Sequence, residues 1–474
     1  MSTYSFDPRR RFDVSDGQDS QSSKGQSSEG QSSEERLKLL RAEKTNKLQF
    51  GIGQMLELPL ATLVGLASLF CIGFFNLSDL SVGGQEKISV DFLVLLKVGF
   101  LAVAGAYGAL GAYTDFRVRR LMFSTPVIWV WVIFGFYCLG VINSVIPKET
   151  VASAISIACV LLCTARVLIQ VGVKVVLTTL FYALSAFVVV SWFLFLFVPV
   201  LGVFEEKITD GQTFNRMSGM AHPNTLGQFA GLAIVFALLL KRNYGEMSKW
   251  RWLVVVLALG ALIGSVSRTS LLTTAVAVAF IYRDKLFKRE YLPHVIGAGL
   301  LGLLVLLGLA AATDLGSAIE SKLAFVSKSG DASELTTGTG RAEIWGYAIK
   351  LIGEKPLFGY GAATSKWWLS DYSLYTHNLV LNVAFSTGVF GGLACLWMVL
   401  GRISALIYRP HRIADALLVF ILVNGISENV IFSILCGLPT IIWIVALSMP
   451  VLDEITAEEK NLSDELPGSM EVIR

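Results

Sequence analysis

The stretch VASAISIACVLLCTARVLIQVGVKVVLTTLFYALSAFVVVSWFLFLFVPVL, residues 151–201, decides the fold. It holds two long apolar runs, and its only charges are Arg166 and Lys174 between them. A membrane-crossing helix needs about 20 mostly apolar residues. A barrel strand would alternate apolar and polar positions over about 10 residues. These runs are continuous and twice that length, so they read as helices whose backbone satisfies itself in lipid. Runs of the same kind recur along nearly the whole chain after residue 50. Only 16% of the residues are charged and 54% are hydrophobic. Soluble chains carry about 25% charged residues, so lipid, and not a globular core, is the solvent this composition implies.

The expectation is an all-α, polytopic membrane protein of about 12 transmembrane helices. The spans fall at about 53–75, 89–112, 125–146, 149–167, 175–201, 223–240, 251–265, 269–282, 293–312, 377–400, 413–430 and 433–451. The seventh and eighth are short and closely joined, and one broken or re-entrant hairpin is the alternative reading. With the N-terminus inside, the inner loops hold Arg117, Arg119 and Arg120, then Arg166 and Lys174, then Lys241, Arg242, Lys249 and Arg251. Arg283, Lys285, Lys288 and Arg289 follow, and lastly Arg402, Arg409 and Arg412. The outer loops hold only Lys87, Lys148, Lys207, Arg216 and Arg268 in their short members. That alternation obeys the positive-inside rule, and a missed or extra helix would break it midway.

Residues 1–50 form a polar cytoplasmic tail with a near-repeat (GQSSEGQSSEE, 25–35) and too few apolar residues to build a core. Spans one to nine occupy 51–312, a large outer loop 313–376, spans ten to twelve 377–452, and an acidic tail 453–474. The loop is not low-complexity. Within it, AEIWGYAIKLIG (342–353) places Ile344, Trp345, Ala348 and Ile352 on one helical face, suiting a helix at the membrane surface. All six cysteines lie inside apolar runs and read as small packing residues. Asp91 and Lys97 are unexplained charges within the second span.

Four polar segments converge on the outer face. FNRMSGMAHPN (214–224) carries Arg216, His222 and Asn224, and SVSRTS (265–270) carries Arg268. TGTGRAEIW (337–345) carries Gly338, Gly340, Arg341 and Trp345, and YTHN (375–378) carries His377. The outer arginines run against the positive-inside trend, and an anionic ligand is an economical partner for them. The planar guanidinium suits phosphate oxygens. Gly338 and Gly340 relax the backbone before a helix start, where exposed amides form an anion nest or, equally, a plain turn. Each residue also has a structural alternative. Arg268 caps or anchors a helix end, Arg216 pairs with Glu205 or Glu206, Arg341 neutralises Glu343 or the loop's own acids, and His377 is an interfacial histidine. His294 and His411 fall on the inner side. The outer face offers no His pair at ligand spacing and no Asp-x-Asp, so neither a metal nor another cofactor is expected. Three arginines can stabilise a departing diphosphate, and a histidine can take a hydroxyl proton near neutral pH. That is equipment for glycosyl transfer from a polyprenyl diphosphate, through an oxocarbenium-like transition state.

At these residues the sequence resembles the O-antigen ligase/polymerase family. The family's R-x-x-G…PN segment is matched by Arg216, Gly219, Pro223 and Asn224, and its S-R-[ST] turn by Ser267, Arg268 and Thr269. Its G-R…W…P-x-x-G-x-G stretch is matched by Gly340, Arg341, Trp345, Pro356, Gly359 and Gly361. Its H-N and G-x-x-G pair is matched by His377, Asn378, Gly388 and Gly391. The resemblance implies a GT-C-like helical fold, a lipid diphosphate-linked sugar donor, arginines at the diphosphate and a histidine base. ISENVIF (426–432), with Glu428, is similar to the exopolysaccharide-polymerase branch. Two features depart from the family pattern: the long polar tail and the His of His-Pro-Asn.

The implied activity is a polymerase joining lipid-linked repeat units in the bacterial inner membrane, with its active site facing the periplasm. A ligase moving the glycan to a lipid A core is the runner-up, and a flippase or exporter of the same lipid-linked saccharide is a third reading. A transporter would place its polar groups near the midplane, often in related halves, whereas these cluster at one face. The implied partners are the glycan donor, a saccharide or lipid A core acceptor and membrane lipid. A chain-length regulator is an optional addition, and no nucleic acid is expected.

Overall fold

A computed structural model describes residues 59–74, 90–207, 213–245, 249–286, 341–370, 375–432 and 435–465. The N-terminal tail, the ninth expected span and both Gly338 and Gly340 lie outside the described residues. The described residues fall within one compact unit, 51–474.

The element order is α1 (Leu60–Phe74), α2 (Val90–Thr114), α3 (Phe116–Met122), α4 (Thr125–Gly140) and α5 (Pro147–Phe197). After the single turn α6 (Pro199–Gly202) comes a hairpin, β1 (Val203–Lys207) and β2 (Thr213–Met217). Then follow α7 (Pro223–Tyr244), α8 (Lys249–Gly264), α9 (Arg268–Ile281) and α10 (Arg283–Leu286). The remainder is α11 (Arg341–Glu354), α12 (Ser365–Trp368), α13 (Leu379–Tyr408), α14 (Arg412–Gly425) and α15 (Leu438–Glu465). The fold is a helical membrane bundle, with one addition that apolar periodicity could not reveal: the antiparallel β1–β2 pair.

Six helices among the described residues are long and apolar enough to cross a membrane: residues 95–114 of α2, α4 with its short 3₁₀ extension, α5, α7, α13 and residues 438–459 of α15. The expected dozen is therefore not reached among the described residues. α5 joins the fourth and fifth expected spans into one helical run, interrupted at Gly172 by a left-handed residue (φ 75°). A glycine adopts that conformation without steric cost, so the turn between the two spans shrinks to a single residue. α1 and α9 are shorter apolar helices. α14 ends at Gly425, well before the expected 430. α15 runs on to Glu465, so the first part of the expected acidic tail is helical.

Burial orders the bundle. α7 and α15 are central, with 83% and 78% of their apolar windows buried, against 28% for α4. α11 forms where the sequence pattern placed a helix, but its Ile344, Ala348 and Ile352 are buried in the protein. Ala348 and Ile352 pack with Tyr360, Leu369 and Phe385, so much of that face meets protein where a membrane surface was expected.

Helix ends use side-chain caps. His222 caps α7 ahead of Pro223, Asn378 caps α13 and His411 caps α14, each accepting a hydrogen bond from a first-turn amide. His222 and Asn378 share one end of the bundle with Arg216 and Arg341. The opposite end is basic. There Arg120 bonds Glu458, Arg117 lies 3.6 Å from Glu459, Arg242 pairs with Asp284, Arg283 with Asp415 and His411 with Asp453. The acidic end of α15 thus pairs with loops that charge alternation assigns to the inner side.

Candidate active site

Arg216 enters the site from the hairpin. In the β1–β2 register Phe204 lies opposite Arg216. Side chains two apart share a face of a strand, so Glu206, and not Glu205, stands beside the arginine. The guanidinium is fully committed. Nη1 pairs with Glu206 Oε2 at 2.9 Å, Nε donates to the Ser265 carbonyl at 2.8 Å, and Nη2 donates to Asn224 Oδ1 at 2.8 Å. Its side chain is 1% exposed. Burial lowers its pKa from the ordinary arginine value, Glu206 and Glu428 oppose that shift, and the nearby positive charge of Arg268 adds to it.

Asn224 passes the connection on, since its Nδ2 donates to Glu428 Oε1 at 3.2 Å. The same oxygen accepts from Arg341 Nη2 at 3.0 Å, and Oε2 faces His377 Nδ1 at 3.2 Å. Five of the residues singled out from the sequence, Arg216, Asn224, Glu428, Arg341 and His377, therefore form one chain of contacts. Arg341 opens α11 and is 22% exposed, as is Glu428; His377 is 27% exposed. These three reach solvent where Arg216 does not.

The remaining candidates sit around this chain. Arg268 begins α9, close enough to Arg216 to depress its pKa, and neighbouring Thr269 accepts a bond from Ser427 at 3.1 Å. His222 turns its Nδ1 to the Asn224 amide at 3.3 Å, and its ring meets Phe204 edge to face. Trp345 donates its indole N–H to the Thr376 carbonyl at 3.0 Å, tying α11 to the residue before His377. His377 itself adopts a left-handed backbone (φ 49°). For a residue other than glycine this conformation is uncommon, and it persists where surroundings over-determine it. Here Asn429 does so, accepting from Thr376 Oγ1 at 3.0 Å and from the Asn378 amide at 3.2 Å.

The paired glycine motifs hold this frame in place. α13 is broken at Gly388 (φ 84°), and Gly359 (φ 63°) lies against the break. A β-carbon on Gly359 would come within 2.6 Å of the Phe385 carbonyl oxygen, and one on Gly388 within 2.5 Å of the Pro356 carbonyl oxygen. Backbone bonds cross the gap from Tyr360 to Phe385, Gly361 to Ser386 and Val389 to Pro356. P-x-x-G-x-G thus docks the segment after α11 onto the broken helix that begins next to His377.

Sequence reasoning did not foresee Glu428 as the shared partner of a cation, an amide and a histidine. A one-dimensional reading of ISENVIF gives Glu428 no partner, and the carboxylate gains its meaning only when α11, α13 and the segment after α14 converge. Glu206 was one of two alternatives until the strand register selected it.

Residues 253–396 match the family model described as O-antigen ligase. That match covers under half of the chain and agrees with the resemblance to the O-antigen ligase/polymerase family seen in the sequence. The matched region includes Arg268, Arg341 and His377 and excludes Arg216 and Glu428. No curated protein matches the chain. Among the described residues no group of three or more His, Cys, Asp or Glu side chains comes together as a metal site would require.

Proposed function

We propose that the chain is a glycosyltransferase of the bacterial inner membrane that joins polyprenyl-diphosphate-linked saccharide repeat units on the periplasmic side, in exopolysaccharide or O-antigen assembly. The observation that carries this reading is the meeting of Arg341 and His377 on Glu428, with Arg268 nearby. A cation suited to diphosphate oxygens thereby stands next to a group able to accept a hydroxyl proton.

The acceptor hydroxyl oxygen attacks the anomeric carbon of the donor sugar, and a new C–O bond forms there. The bond from that carbon to the diphosphate oxygen breaks, and its electron pair leaves with the diphosphate. The hydroxyl proton passes to His377. Arg341 and Arg268 take the charge that builds on the leaving group. Arg216 has a different part from the one its sequence position implied. Its buried, three-way engagement suits an anchor that fixes Asn224 and, through it, Glu428. The leaving-group charge is carried by arginines without a metal in this scheme, and the surrounding helices form a GT-C-like frame. A ligase acting on a lipid A core is the second reading, favoured by the description of the matching family model; ISENVIF favours the polymerase.

One reconstituted assay tests both. Purified protein receives a synthetic polyprenyl-diphosphate saccharide and either a second donor molecule or a lipid A core as acceptor. Chain extension supports the polymerase and transfer to the core the ligase. His377→Ala is expected to lose about 100- to 10,000-fold in turnover, the usual scale for a general base, with donor binding largely kept. Activity is expected to survive EDTA. Ordinary turnover in His377→Ala would remove the base, and activity restored to chelated enzyme by magnesium or manganese would overturn the metal-free scheme.

A further inference from the structure

Glu428 carries one negative charge and serves two clients that call for it at different moments. Its Oε1 accepts from Arg341 and Asn224, while Oε2 faces His377 Nδ1. Its own position is pinned on both sides. Ser427 Oγ bonds Thr269 Oγ1, and Asn429 bonds Thr376, Asn378 and, through Nδ2, Asn382 Oδ1 at 3.3 Å. The carboxylate therefore stays in place if Arg341 turns away. Arg341 is held less tightly, opening α11 with a partly exposed side chain and one carboxylate oxygen.

A diphosphate offers a guanidinium more charge and a better-matched pair of oxygens than half a share in one carboxylate. We propose that donor binding draws Arg341 off Glu428, and that Glu428, still held by Asn224, then acts on His377 as its positioning residue. With Nδ1–H directed at Oε2, Nε2 is the nitrogen that takes the acceptor's proton. The imidazolium formed when that nitrogen takes the proton is stabilised by a carboxylate that no longer bonds Arg341. No covalent bond changes in the exchange itself. The consequence is an order of events: the base reaches full strength only once a donor is seated. This inference rests on the transferase reading above and adds to it a coupling between donor site and base.

Glu428→Gln tests it, because glutamine keeps the size and a carbonyl acceptor but lacks the charge. Undecaprenyl diphosphate is the binding probe, applied to the full chain in lipid nanodiscs. With its anionic competitor gone, Arg341 should hold the probe about tenfold tighter, the effect of losing one modest charge-assisted bond. Turnover should fall about 100-fold with an unchanged or lower KM, since the base is left unsupported. Glu428→Asp should recover part of the turnover. The gain in affinity should vanish in the Arg341→Ala background, a comparison that needs no turnover at all. A merely structural Glu428 would instead weaken probe binding and raise KM together. Weaker or unchanged binding in Glu428→Gln, or ordinary turnover, would overturn the exchange. Failure of the transferase reading looks different: Arg341→Ala would bind the probe as the parent does, and the parent would transfer no sugar.

Discussion

The two ends of the bundle are both rich in arginine and use it differently. At the basic end the cations have carboxylates close by, and several of these face solvent: Glu458, Asp284 and Asp453 are each more than half exposed. At the site end the half-buried Glu206 and Glu428 serve Arg216, Arg341 and His377 jointly, through a shared asparagine. The backbone differs in the same sense. Among the described residues, the five non-glycine positions with positive φ are Val266, Ala363, His377, Phe432 and Leu435, in the segments that surround the site. Such conformations cost about 1–3 kcal/mol each and persist where the surroundings fix them. The basic end is made of pairs that keep helix ends where they are. The site end gives up backbone ease to hold a few groups in a set relation.

The most drastic way to break this comparison is to ask which end faces which compartment. The charge alternation assigns residues 313–376 to the periplasm and both termini to the cytoplasm. Alkaline phosphatase fused at about residue 330 is then expected to be active, and fused at about residue 285 inactive, an all-or-none contrast. The reverse pattern would put the shared-carboxylate end in the cytoplasm and remove the proposed periplasmic reaction.

Within the site end, the next largest effect is expected at Arg341. Arg341→Lys should be nearly as harmful as Arg341→Ala, with a loss of about 100-fold in transfer. Lysine keeps the charge but offers a point where the guanidinium offers a fork. Near-normal polymer at normal protein level in the lysine variant would show that bulk charge is enough, and the site end would then resemble the basic end after all.

How much of this was legible beforehand follows from the range of each interaction. Membrane class and charge sidedness depend on composition along the chain, and the runs around Arg166 and Lys174 gave them without any contact map. The polar segments were legible because arginines at 216, 268 and 341 break the trend set by their neighbours. Their division of labour was not. Arg216 and Arg341 look alike in sequence, and only the β1–β2 hairpin, absent from an all-helical reading, buries the first against Glu206 and leaves the second half-free. The glycines of P-x-x-G-x-G and G-x-x-G were visible as motifs but carried no role, because the fit of Gly359 against Gly388 joins two segments whose approach no local pattern encodes.

The smallest expected effect lies at the basic end and completes the contrast. Arg283 and Asp415 form its most enclosed pair, at 2.8 Å with side chains 12% and 4% exposed. Removing one member of a buried pair leaves a charge without its counter-ion, so Arg283→Ala should destabilise the protein by about 3 kcal/mol. The measurement is the melting midpoint in detergent, alongside transfer per folded molecule, which should stay at the parental level. Arg120→Ala is the matched control. Its partner Glu458 is solvent-exposed, exposed pairs contribute little, and neither the midpoint nor the turnover should move. If Arg283→Ala instead lowered turnover at unchanged stability, the basic end would be coupled to the chemistry across the whole bundle. The division between an end that holds the fold and an end that holds the reactants would then fail.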